Sequence, residues 1–277
     1  MGKKWANNKV FKRYRQPTNN KKITLDDIDT RDKSCFPVRD EAERSTAVDI
    51  ARIDELQDTL YAEGKHALLI VLQATDTGGK DSTVRKVFGP IDPLGVRVTS
   101  FKAPSSKELS HDYLWRVHQA VPPKGMIGIF NRSHYEDVLI GRVRELAPKK
   151  IINQRYDQIN AFERHLAQND VTILKFYLHI SKKEQKERLQ ARLDDPTKHW
   201  KFNPGDLKER LLWDDYREAY EIALSRCSTP EAPWFVIPAD RKWYRNAVIS
   251  RIIRGTLEDL NLQYPKAAPG LDEIEID

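Results

Sequence analysis

Cysteine is almost missing from this chain. Two of 277 residues, Cys35 and Cys227, stand far apart with no metal-type spacing, so no thiol-ligated metal motif is present and a reducing cytoplasm is the expected compartment. Long apolar runs are missing as well. None approaches the length of a membrane span, and the first residues carry no apolar signal core, so no membrane partner is expected. No internal repeat or low-complexity segment interrupts the sequence. Acid is missing from residues 1–22, which hold Lys3, Lys4, Lys9, Lys12, Arg13, Arg15, Lys21 and Lys22. That segment carries +8 of a net +6, which leaves −2 for residues 23–277. The basic balance therefore belongs to the N-terminal arm, and the near-neutral body argues against a general nucleic-acid binder.

Hydrophobic residues make up 39% and charged residues 32%, a chain with a substantial polar surface and enough length for one large α/β domain. Residues 1–47 read as an arm with little regular structure, punctuated by Asn7-Asn8, Gln16-Pro17 and Asn19-Asn20. Trp5, Phe11 and Tyr14 interleave with its basic residues, and the favoured reading is a tail lying on the body rather than one reaching for a polyanion. From Val48 the spacing Ile50, Ile53, Leu56, Leu60 is helical. Strands are expected at 68–72, 96–101, 126–130, 171–179 and 234–237, and helices from about 81, after a turn at 104–108 through 114–117, over 153–168, across much of 182–226 and over 243–260. Residues 272–277 read as a loose acidic tail. Strands alternating with helices imply a parallel sheet of about five strands with right-handed crossovers. The domain reading is an arm over 1–47 and a single domain over 48–277, with a helical lid at about 182–226.

The stretch around which the chain is organised runs Leu68-Leu69-Ile70-Val71-Leu72-Gln73-Ala74-Thr75-Asp76-Thr77-Gly78-Gly79-Lys80-Asp81-Ser82-Thr83. A buried strand, a turn with two glycines, a lysine and a helix start form a phosphate-binding loop. Gly78 and Gly79 let backbone amides turn inward, Lys80 reaches a farther phosphate, and Asp81 and Ser82 open the helix. The pattern G-x-x-x-x-G-K-[ST] is degenerate here, with Ala74 first and Asp81 after the lysine. Alone, it competes evenly with an ordinary strand-to-helix turn. Asp76 is an acid inside the loop. It reads as a Mg²⁺ ligand or an aligner of the accepting phosphate, against an Asx-type turn residue.

The third strand delivers Asn131-Arg132-Ser133-His134-Tyr135-Glu136-Asp137 to the carboxyl edge of the sheet, where ligands of parallel α/β folds bind. Arg132 suits the equatorial oxygens of a transferring phosphoryl group, against a structural ion pair with the acid four or five residues on. Asn131 stands where an acid would help hold Mg²⁺ and binds it only weakly or through water. His134 is not needed as a base, because a nucleotide phosphate is already anionic, so a packing or hydrogen-bonding role is expected. Arg188 and Arg192 share a helix face, and Lys198-His199-Trp200-Lys201 sets two cations around a tryptophan. Together these cations would line a channel for a long polyphosphate, against a solvated ion-pair face.

Over roughly residues 35–260 the chain resembles the polyphosphate kinase 2 family. The resemblance rests on Ala74 to Asp81, His111-Asp112-Tyr113-Leu114-Trp115-Arg116, Phe130 to Asp137, Asp195-Pro196 through Trp200-Lys201, and Ala232-Pro233-Trp234. It implies a thymidylate-kinase-like phosphate-loop kinase fold in three layers, with a helical lid, and Mg²⁺-dependent, reversible transfer between inorganic polyphosphate and nucleotides, with Mn²⁺ as a substitute metal. By motif position it makes Asp76, Lys80 and Arg132 catalytic, and Gly78, Gly79, Asp81, Ser82, Arg188, Arg192, Lys198 and Lys201 phosphate-binding. Asn131, His134, Tyr135, Glu136 and Arg116 become the nucleotide-binding candidates, with Asp76 at the metal. Members with one main acceptor often read Asp-Arg-Ser-Trp-Tyr-Asn where this chain reads Asn131 to Glu136. The variant resembles class III, whose members phosphorylate AMP and ADP, with GMP and GDP as further acceptors, and it implies a homo-oligomer, dimer or tetramer. Competing readings are an ATP-dependent nucleoside monophosphate kinase, an enzyme specific for nucleoside diphosphates, and a nucleic-acid binder acting through the arm.

Overall fold

The run at 68–72 is apolar throughout because its strand is buried on both faces. In the computed structural model, which describes residues 8–18, 20–270, 274 and 276, β1 spans Ala67–Gln73 and every residue of it is buried. Leu68, Ile70 and Leu72 belong to one core layer, Ala67, Leu69 and Val71 to the other, the two-residue alternation of a strand between two helical layers. The other strands are β2 (Val96–Ser100), β3 (Ile127–Asn131), β4 (Val171–His179) and β5 (Trp234–Pro238). All four pairings are parallel and the order is β2-β3-β1-β4-β5. The chain steps from β1 to one side for β2 and β3, then to the other for β4 and β5. That reversal opens a crevice at the carboxyl end of β1.

The principal helices, in chain order, are α1 (Lys9–Tyr14), α2 (Arg39–Glu63), α3 (Lys80–Thr83, continued by a π turn at Val84–Phe88), α4 (Ser106–Leu109), α5 (Trp115–Ala120), α6 (Ile140–Val143) and α7 (Lys149–Ala167). They continue as α8 (Lys182–Leu193), α9 (Gly205–Leu211), α10 (Trp213–Arg226) and α11 (Lys242–Asp259). α2 and α11 pack side by side over one face of the sheet, where Ile53 and Leu60 meet Val248 and Ile252. α7 and α10 contribute Tyr156, Ile159, Ala219 and Leu224 to the opposite layer. The result is the expected three-layer phosphate-loop fold.

Two elements differ from expectation. α2 starts at Arg39, nine residues before Val48. Its first turns turn inward only Ala42 and the polar Thr46, and a buried carboxylate, Asp49, takes the next inward position. Arg251 Nε and Arg254 Nη1 donate to it at 2.8 and 3.0 Å. A polar seam of this kind is invisible to a search for hydrophobic periodicity. The turn expected at 104–108 holds a short helix of its own, α4, and the helix expected through 114–117 is the separate α5. Ser105 and Glu108 close a capping box at the first, and the Asp112 carboxylate accepts the Leu114 N–H at 3.0 Å, turning the chain before the second.

The arm lies on the body. Val10, Phe11 and Tyr14 of α1 are buried, and Phe11 packs edge-on to Phe235 at 5.3 Å. Arg15 forms an antiparallel bridge with Phe235, and Gln16 N–H donates to Trp234 C=O at 2.8 Å, covering the outer edge of β5. Tyr14 OH bonds Tyr244 OH, and Asp32 accepts from both Arg13 and Tyr14. Lys3, Lys4, Trp5, Asn7, Asn19 and most of the expected acidic tail lie outside the described residues. Phe11→Ala is expected to cost about 3–5 kcal/mol, the scale of a buried aromatic truncation. Urea unfolding followed by circular dichroism measures it, and an unchanged midpoint would mean that the arm contributes nothing to the core.

Candidate active site

Four and six residues after β1 the backbone enters the left-handed region, at Thr77 (φ 59°) and Gly79 (φ 103°). Gly78 N–H closes the turn onto Thr75 C=O at 3.0 Å. Both glycines are required by space as well: a Cβ on Gly78 would overlap Ala74, and one on Gly79 would overlap the Arg245 guanidinium. Helix α3 begins at once with Lys80, so its first amides face the loop. Lys80 Nζ is buried and donates to Ala74 C=O at 3.0 Å. Burial and the Arg132 charge lower its pKa, against the pull of Asp76, Glu136 and Asp81.

β3 lies beside β1 with Leu72 opposite Asn131. Arg132 follows at φ 64°, its N–H bonded to Leu72 C=O at 3.1 Å. This backbone region is rare for a residue other than glycine. It turns the guanidinium across the loop: Nη2 donates to Asp76 Oδ1 at 2.8 Å and Nη1 to Glu136 Oε2 at 3.4 Å. Burial lowers the Arg132 pKa, and the two carboxylates outweigh it, so the net shift is upward. The ion pair with the residue four on is therefore present, and Asp76 is drawn into the same fork. Asn131 Nδ2 donates to Asp81 Oδ1 at 2.7 Å, which ties the second motif to the first turn of α3.

His134 and Tyr135 do not reach this opening. Both are buried and share Glu163 Oε1, at 3.2 Å from His134 Nε2 and 2.9 Å from Tyr135 OH. Lys175 Nζ, fully buried on β4, donates to Glu163 Oε2 at 2.6 Å, to Tyr135 OH at 2.8 Å and to Cys227 C=O at 2.6 Å. Neither His134 nor Tyr135 lines the opening as a nucleotide-binding candidate would, and His134 packs and hydrogen-bonds inside the core. They anchor the turn that carries Arg132 and Glu136. Arg116 also turns elsewhere, donating to Lys102 C=O at 2.9 Å and lying over the Phe101 ring.

The lid cations divide. Arg188 Nη1 donates to Thr77 and Gly78 C=O at 3.0 and 3.1 Å, and Nε to Glu184 at 2.8 Å, so it clamps the loop from behind. Arg192 donates to Lys201 C=O at 2.9 Å and approaches Asp206 at 3.4 Å. Lys198 pairs with Asp195 at 2.6 Å, and Lys201 lies over the exposed Trp200 ring. Ser82 Oγ donates to Gly79 C=O and accepts from Arg245 Nη2 at 3.1 Å.

A cavity of about 40 Å³ lies between the loop and the lid, walled by Asp76, Arg132 and Glu136 on one side and Glu209, Tyr216 and Tyr220 on the other. It has room for a few waters. Gln185 Nε2 latches the lid to Asp76 C=O at 3.0 Å. Gln185, Glu209, Trp213, Tyr216, Tyr220 and Arg245 were not among the expected site residues. The spacing of Trp213, Tyr216 and Tyr220 marks one helix face. For the buried Arg245 the sequence offers no signal.

A twisted parallel sheet with a phosphate loop after its central strand, a charged fork on the adjacent strand and a helical lid defines a phosphate-loop kinase. Residues 38–265 match the family model described as polyphosphate kinase 2 (PPK2). The chain belongs to the polyphosphate kinase 2 family. It is 53% identical over 269 residues, 96% of this chain and all of the other, to an AMP/ADP-polyphosphate phosphotransferase of Meiothermus ruber. An ADP-polyphosphate phosphotransferase of Rhodopseudomonas palustris is 45% identical over 79% of this chain and 80% of its own. The crystal structure of polyphosphate kinase 2 from Arthrobacter aurescens superposes with a TM-score of 0.90 at 44% identity, covering 93% of this chain and 92% of that one.

The Lys175–Glu163 pair generates a test of the turn's anchorage. Burial alone would raise the Glu163 pKa, but Lys175 and His134 overcome this and hold it below its ordinary value of 4.5. Its stabilising contribution is present above pH 4.5 and is lost as pH falls through the lower folded value. Glu163→Gln leaves Lys175 buried without its counter-charge and is expected to cost about 3–5 kcal/mol at pH 7. Denaturant midpoints between pH 3 and 7 are expected to fall less steeply at the acid end in the variant than in the parent.

Proposed function

We propose that the protein transfers the terminal phosphoryl group of inorganic polyphosphate to AMP, giving ADP, and then to ADP, giving ATP. The observation that carries the reading is the Arg132 fork, shared between Asp76 and Glu136 and set beside Lys80. The relatives named for AMP and ADP as acceptors support it. An acceptor phosphate oxygen attacks the terminal phosphorus. The bridging P–O bond breaks, and the shortened polyphosphate leaves with the electron pair as an anion. The attacking oxygen is already ionised, so no side chain is asked to remove a proton. The chain contributes position and charge: the loop amides and Lys80 hold the transferring group, and Arg132 takes its equatorial oxygens. Gly78, Gly79, Asp81 and Ser82 shape the cradle. In this reading Arg188 supports the loop, and Arg192, Lys198 and Lys201 guide the donor chain.

The family is generally dependent on a divalent metal, and we assign Mg²⁺, with Mn²⁺ as a substitute. Among the described residues no three metal-ligating side chains cluster. That fits an ion bound by one carboxylate together with substrate phosphates and water. Asp76 is the candidate: Oδ1 accepts from Arg132, and Oδ2 accepts no hydrogen bond among the described residues. Asn131 is spent on Asp81. Bound there, the metal would neutralise phosphate oxygens. We place the enzyme in the cytoplasm, in keeping with its two free thiols, and as a homo-oligomer, dimer or tetramer, which a solution mass measurement decides. No helix among the described residues is long and apolar enough to cross a membrane.

Incubating the protein with AMP, Mg²⁺ and polyphosphate is expected to yield ADP first and ATP later, with no ATP at the start. Absence of ADP would point to an enzyme specific for diphosphates, and a requirement for ATP to a monophosphate kinase. Glu136→Asn is expected to slow the AMP step more than the ADP step, because the longer acceptor needs less beneath it. Equal losses would remove Glu136 as the selector. Lys80→Ala is expected to lower kcat by about 10²–10³, as for loss of one preorganised charge donor, with the fold intact by circular dichroism.

A further inference from the structure

Arg245 is a buried cation with no anion. It sits in the first turns of α11, 1% exposed, directly behind the phosphate loop. Its Nε and Nη2 donate to the neutral Asn246 Oδ1 at 3.2 and 3.0 Å, and Nη2 also to Ser82 Oγ at 3.1 Å. Nη1 lies against Gly79 and, though buried, has no hydrogen-bond partner. No carboxylate among the described residues bonds this guanidinium. Its charged neighbours are cations: burial and Arg188 pull the Arg245 pKa down to about 9, and Arg188 and Arg245 help lower that of Lys242. Glu184, the acid beside this group, is taken by Arg188 at 2.8 Å. A charge buried without a partner is costly, and replacement by an apolar side chain of similar size is often neutral or stabilising. The place where this cost is carried is one peptide away from an anion-binding loop.

We propose that Arg245 is a positioning residue and resident counter-charge of the phosphate loop, and that the phosphate bound in the loop supplies the negative charge it lacks. The proposal rests on the phosphate-binding reading of residues 74–83. The guanidinium acts through the loop rather than by touching substrate. Its charge stands behind the Gly79–Lys80 amides, and its bond to Ser82 fixes the first turn of α3 against them. It also accounts for Gly79 in terms of space, since any side chain there would displace the guanidinium. In the free protein the Arg245 guanidinium itself is left without a counter-charge, which a polyphosphate supplies on binding. Free-state stability and ligand affinity are therefore opposed at this residue.

The test is thermal unfolding with and without sodium tripolyphosphate, with sodium chloride at matched ionic strength as control, on the parent, Arg245→Met and Arg245→Lys. In the parent, tripolyphosphate raises Tm. Arg245→Met is expected to melt at or above the parent's Tm without ligand, to lose more than half of the tripolyphosphate shift, and to bind it roughly tenfold more weakly. Arg245→Lys keeps the charge and is expected to keep most of the shift. A strut without electrostatic function gives the opposite pattern: Arg245→Met melts lower and its ligand shift is unchanged, which overturns the proposal. If Arg245→Met does not fold, loss of the shift in a folded Arg245→Lys overturns it equally. A parent whose Tm tripolyphosphate leaves unmoved overturns the phosphate-site reading itself, whereas a parent that responds with an Arg245→Met that responds alike overturns the counter-charge alone.

Discussion

One backbone bond sets the geometry on which the site depends. Arg132 N–H reaches across the β1–β3 ladder to Leu72 C=O just where both strands end. The phosphate loop leaves from one side of that bond and the charged turn from the other. A parallel sheet makes such closeness available only at a switch in strand order, and the order β2-β3-β1-β4-β5 puts the switch at β1. The left-handed backbone at Arg132 is the local cost. It is held by Ser133, whose Oγ takes bonds from Gln73 and from the Tyr135 N–H, and by the buried anchorage of Tyr135 and His134 on Glu163 and Lys175. Strain at such a residue persists when its surroundings over-determine it.

The buried charges serve different ends in different layers. Lys175 and Glu163 are paired, multiply hydrogen-bonded and far from solvent, and they make one turn rigid. Asp49, pinned by two arginines, joins α2 to α11 in the opposite layer. Arg245 is bonded by no carboxylate among the described residues and lies against Gly79 of the loop. The lid adds Gln185 on Asp76 C=O and Arg188 on the carbonyls of Thr77 and Gly78, so lid position and loop shape are mechanically joined.

Much of this was legible in the chain. β1, β3 and β5 fall where short apolar runs predict them, because burial on both faces leaves little room for polar residues, and the largely exposed edge strand β2 falls where alternation predicts it. The loop glycines and Arg132 announce themselves by type and order. Legibility ends where side chains turn inward for polar reasons. Nothing in the letters around position 49 marks a buried acid, and nothing around 245 marks a buried guanidinium, since both look like surface residues on charged helices. His134 and Tyr135 read as site residues through their neighbours in the motif, yet alternate positions in a tight turn point to opposite sides, and theirs point into the core. Arg188 was expected to face a ligand, but four residues from Glu184 on an inward helix face it reaches loop carbonyls first. The arm's contacts were legible in kind, through Phe11 and Tyr14, and not in detail, since the bridge at Phe235 joins positions more than two hundred residues apart.

The Arg132 fork has a consequence for how tightly any phosphate can be held. With Asp76 and Glu136 already on the guanidinium, a phosphate bound there in the proposed reading would not fill an empty socket; it would displace resident carboxylates, as a counter-ion is swapped on an exchange resin. Affinity at such a site is the difference between two favourable pairings and so stays modest, while departure is eased because the displaced groups are waiting to return.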